Sequence, residues 1–232
     1  MLRAKLIGLL TMAGVFIAGP TAFACQPNGS YCYSYHGFIG AGQTYGANYL
    51  YGSQARINTN PSPSVCDAVA VWPMLANTAT TGTNDFAQIG LVQETSQSQQ
   101  YVFYEYANTS SANPPQELFV APSGTNTYSV TYDGVNHTFN FYLNGTVKFR
   151  VSNLGWTPNL GEWFGEAYDN NDWIPGSVTN PTSVNTVQIF ANGLWQSVNL
   201  SGLYSNTTYD GRFASQGTDG FSIYDCRNPG IA

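Results

Sequence analysis

The chain has 232 residues, of which only 7 are Lys or Arg and 13 are Asp or Glu, with two histidines and a net charge of −6. So acidic a chain offers no basic surface for nucleic acid or an anionic membrane, and both are excluded as partners. Charge is scarce enough that its placement carries information.

In chain order, Arg3 and Lys5 precede an apolar run from Leu6 to Ala18 and then Ala22-Phe23-Ala24. This is the pattern of a secretory signal peptide with an A-x-A cleavage site, and the run is shorter than the roughly 20 residues of a membrane span. Cleavage after Ala24 leaves a single domain, residues 25–232, whose net charge deepens to −8 because Arg3 and Lys5 leave with the leader. The expected location is extracellular, and so few basic groups suit an acidic medium. Cys25, Cys32, Cys66 and Cys226 remain. In an exported chain they suggest two disulfides with three possible connectivities, of which a local Cys25–Cys32 staple and a long Cys66–Cys226 tie are favoured. A small residue before Cys25 also leaves lipidation open, although Ala22 fits that signal poorly.

Beyond the leader no stretch has helical period. Short runs of Val, Ile, Thr, Tyr and Phe alternate with Gly, Asn, Pro and Ser, as strands alternate with turns. Tyr31 to Tyr51 reads as an edge strand and loops, Gln54 to Thr59 as a strand, and Ala68 to Leu75 as an apolar strand closing on Trp72-Pro73. Phe86 to Glu94 places Phe86, Gln88, Gly90 and Val92 on one face and pairs with Tyr101 to Tyr106 as a hairpin. Asn113-Pro114-Pro115 is expected to break the chain. Tyr128 to Tyr132, His137 to Leu143 and Thr146 to Val151 form a meander around Asp133-Gly134 and Asn144-Gly145. Gly161 to Tyr168 is the next strand, followed by a loop from Asp169 to Pro181. Val184 to Ala191 turns at Asn192-Gly193 into Leu194 to Val198, and Phe221, Ile223 and Tyr224 lie on a last strand. Roughly a dozen strands without helices predict an all-β fold, a two-sheet antiparallel jelly-roll sandwich.

The chemistry narrows by elimination. His36 and His137 have no metal-ligand spacing, and the sequence holds no HExxH, no GxSxG and no glycine-rich phosphate loop. Carboxylates and amides remain. On a strand from Gly161 to Tyr168, period two puts Glu162, Phe164, Glu166 and Tyr168 on one side and Trp163 on the other, so two acids stand on an aromatic face.

Trp72, Gln88-Ile89-Gly90, Tyr104-Glu105-Tyr106 and Glu162-Trp163 through Glu166 follow the order and approximate spacing of motifs in the glutamic peptidases, or eqolisins, which this chain resembles from about Ala68 to Tyr168. The resemblance implies a concanavalin A-like jelly roll that hydrolyses peptide bonds in acid, with Gln88 and Glu162 as the catalytic pair. It also implies that Trp72, Glu105, Glu166 and Tyr168 help bind a polypeptide substrate, with no cofactor or metal, in a monomer. A carboxyl among aromatic groups tends to keep its proton, which suits Glu162 to acid and base steps. The Gln88 amide can donate to a developing oxyanion without adding charge. Two other readings stay open. Glu162 and Glu166 also resemble the spaced glutamates of β-glucanases, with Phe164 where those enzymes carry an aspartate. Trp156, Trp173, Tyr168 and Tyr106 can stack on sugars in a non-catalytic carbohydrate-binding module.

Overall fold

A computed structural model describes residues 37–44, 50–77, 85–108, 111–169, 171–200, 204–206 and 211–228. The expected leader, Cys25, Cys32 and His36 lie outside these residues. The described chain is all strand and connection: β1 (Gly37–Thr44), β2 (Leu50–Asn58), β3 (Ala68–Asn77), β4 (Asp85–Glu94), β5 (Tyr101–Asn108), β6 (Ser111–Val120), β7 (Thr125–Asp133) and β8 (Thr138–Leu143). It continues with β9 (Thr146–Ser152), β10 (Leu160–Ala167), β11 (Thr182–Ala191), β12 (Leu194–Ser197), β13 (Tyr204–Asn206), β14 (Gly211–Gln216) and β15 (Phe221–Asp225).

They form two antiparallel sheets, one in the order β13-β1-β10-β3-β4-β5-β6 and the other β14-β15-β11-β2-β7-β8-β9, with β12 beside β11. Alternation along each strand decides which side chains meet between the layers. Trp163, Val71, Leu75, Ile89 and Leu91 of the first sheet are fully buried with Ile57, Tyr128, Val130, Phe141 and Ile189 of the second. Trp163 also crosses the gap with its polar end, the indole Nε1 donating to the Gln54 carbonyl at 3.0 Å. Each such side chain contributes about 2–3 kcal/mol of burial.

The connections show which local signals were sufficient. Asn144-Gly145 and Asn192-Gly193 both have positive φ throughout (50° and 75°, 53° and 78°), the two-residue turn that matches strand twist. The Asp133-Gly134 hairpin closes differently. Asp133 Oδ1 accepts from the backbone N–H groups of Val135 and Asn136 at 3.0 and 3.2 Å, so a side chain shapes a longer loop.

Two expectations need correction. Asn113-Pro114-Pro115 does not break the chain but lies within β6. That strand is the outermost of its sheet, its register with β5 slips between Tyr104 and Tyr106, and an edge tolerates the missing N–H groups. The segment around Tyr31 to Tyr51 supplies β1, which is not an edge, because β13 pairs on its outer side.

Candidate active site

The outward face of the first sheet carries a second apolar cluster, with Trp72, Met74, Phe86, Phe103 and Phe164 at its centre. Apolar residues on both faces of β3 and β4 explain why these strands are buried almost from end to end. Set into this cluster are the amide and carboxyl groups that the sequence singles out.

Register places them in rows across the strands. Glu162 of β10 stands opposite Met74 of β3, Met74 opposite Gln88 of β4, and Gln88 opposite Glu105 of β5. Adjacent strands are about 4.8 Å apart, so Glu162 and Gln88 are about 10 Å apart at the backbone, with Met74 between them. On the other side of β10, Gly42 of β1 pairs with Glu162, and a Cβ built on it would come within 3.2 Å of the Glu162 Cγ. The next row holds Phe164 and Trp72 in tilted contact, ring centroids 5.5 Å apart. Gly90 belongs beside them for a steric reason. A Cβ there would lie 2.1 Å from the Val71 carbonyl oxygen and 2.8 Å from Trp72 Cα.

The acids fall into two environments. Glu105 and Glu166 are almost fully buried, at 2% and 1% exposure. Gln88, also buried, donates from Nε2 to Glu105 Oε2 at 2.7 Å, and Trp72 donates from its indole Nε1 to Glu166 Oε2 at 2.6 Å. Burial, reinforced by repulsion from Glu166, pushes the Glu105 carboxyl up to about 8 against the pull of the Gln88 bond. Burial and the carboxylates of Glu166 and Glu105 likewise hold the Tyr168 phenol protonated well beyond its usual range. Glu162 differs in being only half-buried, with the glycine strand beside it. Desolvation alone raises its carboxyl to about 7.

All six site residues from the sequence reading therefore share one face of one sheet. Trp72, Glu166 and Tyr168 form one group, Gln88 and Glu105 another, and Glu162 stands apart. Gln88 and Glu162 are not on adjacent strands, since β3 separates them.

Two participants escaped the sequence reading. Met74 looked like one more apolar strand residue. The Gly40-x-Gly42 alternation, which bares the β1 face beside Glu162, was the available signal for the open side of the site. A third feature anchors it. The Asp172 carboxylate accepts the backbone N–H groups of Cys66, Asp67 and Ala68, and the Ala68 carbonyl accepts from the backbone of Tyr168 at 3.0 Å. Arg227 bridges the Asp172 carbonyl and the Asp225 carboxylate, tying the chain's last described strand to the start of β3.

The other readings gain less. Trp156 is 7% exposed, with its indole donating to the Ala107 carbonyl at 3.0 Å, and Tyr106 stacks on Tyr104 and Phe149. The Arg227 guanidinium lies over Trp173. These rings make no common platform for a sugar. His137 pairs its Nδ1 with the Tyr132 hydroxyl at 2.9 Å, and no group of three or more His, Cys, Asp or Glu suited to a metal occurs among the described residues.

No family model and no characterised protein matches the chain by sequence. Solved structures match it in fold. Scytalido-glutamic peptidase, crystallised with a peptide-based transition-state analogue, superposes over 84% of this chain and all of its own, with a TM-score of 0.56 at 14% identity. SCP-B, of the eqolisin peptidases and bound to the tripeptide Ala-Ile-His, gives 0.55 at the same coverage and identity. The fold is the concanavalin A-like sandwich of the glutamic peptidases. A Bacillus licheniformis β-glucanase superposes over 79% of this chain and 65% of its own at a TM-score of 0.41 and 12% identity.

Proposed function

We propose that the chain is a glutamic-type endopeptidase, cleaving peptide bonds in acidic surroundings with Glu162 and Gln88. The observation that carries this reading is the row itself. Of the three carboxyl groups set into the apolar cluster, Glu105, Glu166 and Glu162, Glu162 is the least buried, and it shares its row with Gln88 on a sheet whose fold is that of peptidases.

The chemistry follows from a desolvated carboxyl. Below about pH 7 Glu162 is neutral. A neutral carboxyl can accept and donate a proton at once, so charge need not build up in an apolar groove. Water oxygen bonds to the peptide carbonyl carbon while one water proton passes to the Glu162 carbonyl oxygen. The Glu162 hydroxyl proton passes to the peptide oxygen, which also accepts the Gln88 Nε2–H. In the second step Glu162 protonates the amide nitrogen as the C–N bond breaks, and a hydroxyl proton of the intermediate returns to Glu162. Met74, unbranched and pliant, floors the gap between the two groups.

A β-glucanase mechanism needs two carboxyls about 5 Å apart. Glu162 and Glu166 have the sequence spacing of the glucanase pair, but Phe164 stands where those enzymes carry an aspartate and Glu166 is held by its bond from Trp72. Export through the 1–24 leader and a Cys66–Cys226 bond belong to the peptidase proposal, since Cys66 and Arg227 both bond Asp172.

The test is hydrolysis of a denatured protein by residues 25–232 across about pH 2 to pH 9. As the neutral acid is the working form, kcat/KM should be level in acid and fall as pH rises through about 7. Glu162→Gln, nearly isosteric, should abolish cleavage and keep the fold. Cleavage that survives this change, or a rate that rises through pH 7, rules out the mechanism.

A further inference from the structure

Gln88 and Glu105 face each other across β4 and β5, each about 2% exposed, joined by the 2.7 Å bond from Nε2 to Oε2. A primary amide offers two N–H groups and an acceptor oxygen. A neutral carboxyl offers one O–H and an acceptor oxygen. Side by side they can close a ring of two hydrogen bonds, amide N–H to carboxyl oxygen and carboxyl O–H to amide oxygen. An ionised carboxyl has no proton to give, so one bond is lost and the Gln88 oxygen faces a negative oxygen in a dry setting.

We propose that Glu105 is a positioning residue for Gln88: its neutral carboxyl fixes the amide by two bonds and leaves the second Nε2–H outside the ring as the donor for a substrate oxygen. The assignment deepens the peptidase reading above and rests on it. It explains why an acid is buried beside the amide. The groups around Glu105 favour the neutral form. β10 presents Glu166 and, farther along the row of Gln88, Glu162, and the Tyr168 phenol follows. β3 presents only the uncharged Trp72 and Met74, while Glu117 of β6 is exposed and accepts from Gln97 at 2.8 Å. Burial and Glu166 repulsion accordingly keep the Glu105 proton in place up to about pH 8.

The experiment follows the Gln88 side-chain amide by 15N-resolved NMR in the mature chain from about pH 4 to pH 9. The two Nε2–H signals should be constant in acid and move with a midpoint near the Glu105 value of about 8. Glu105→Gln, which can still donate and accept, should keep the acid-form signals at every pH, and Glu105→Leu should displace them at every pH. In cleavage assays at about pH 5, Glu105→Gln should stay within about threefold of wild type, whereas Glu105→Leu should lose about 100-fold in kcat with KM little changed. Gln88 signals that do not titrate, or that Glu105→Leu leaves in place, overturn the proposal, as does Glu105→Gln losing as much kcat as Glu105→Leu. Should the wild type cleave nothing, the peptidase reading fails, while the NMR titration still decides the pairing.

Discussion

Replacing Glu105 by Gln should make the protein more stable in neutral and alkaline solution and leave it unchanged in acid. In the unfolded chain the carboxyl titrates at its ordinary value of 4.5, and in the fold at about 8. Between those values the native state holds a proton that the unfolded state has released, so stability falls as pH rises through this window and levels off above it. A difference of 3.5 pH units at 1.36 kcal/mol per unit makes the wild type about 5 kcal/mol less stable at pH 9 than a variant with nothing to ionise at this position. Below pH 4.5 both side chains are neutral, of the same shape and able to bond Gln88, so their stabilities should coincide. Urea titrations at unit pH intervals for the two proteins give the difference curve directly. Curves that stay parallel up to pH 9 would show that Glu105 ionises freely inside the fold and would refute the desolvation account.

Three further outcomes follow from named contacts. Trp72→Phe removes the indole donor from the buried Glu166 carboxylate and should cost about 2 kcal/mol in denaturant unfolding. Gly90→Ala puts a methyl group 2.1 Å from the Val71 carbonyl, so β3 and β4 must separate, at about 3 kcal/mol and a visibly lower melting temperature. Peptide mapping of secreted protein should recover Cys66 linked to Cys226, and Cys66→Ser should destabilise the fold by about 3 kcal/mol.

Period-two patterning located nearly every strand, and it placed Glu162 and Glu166 on the face opposite Trp163, because alternation is a local property of an extended chain. The order of strands in a sheet is not local. The hairpin of β4 and β5 was legible and carries Glu105 to the strand beside Gln88, but nothing near Gln88 says that Met74 stands between it and Glu162. That fact comes from the β10-β3-β4-β5 register, which brings together residues as far apart as Trp72 and Glu166, 94 positions. β6 was misread because proline was weighed as a breaker without regard to where in the sheet it would fall. Asp172 was hidden because a carboxylate that collects backbone N–H groups in a loop looks like any polar loop residue.

The two prolines of β6 have a consequence for what this molecule can meet in solution. On the peptidase reading its substrate is an unfolded chain, and such a chain is also a strand in search of an edge to pair with. Pro114 and Pro115 remove two backbone donors from β6, the outermost strand of the first sheet, and exposed Lys148 and Arg150 punctuate β9, the outermost strand of the second on that side. Both borders are therefore poor templates. An extended polypeptide is turned away from these two margins, where it would accrete, toward the face that carries Glu162 and Gln88.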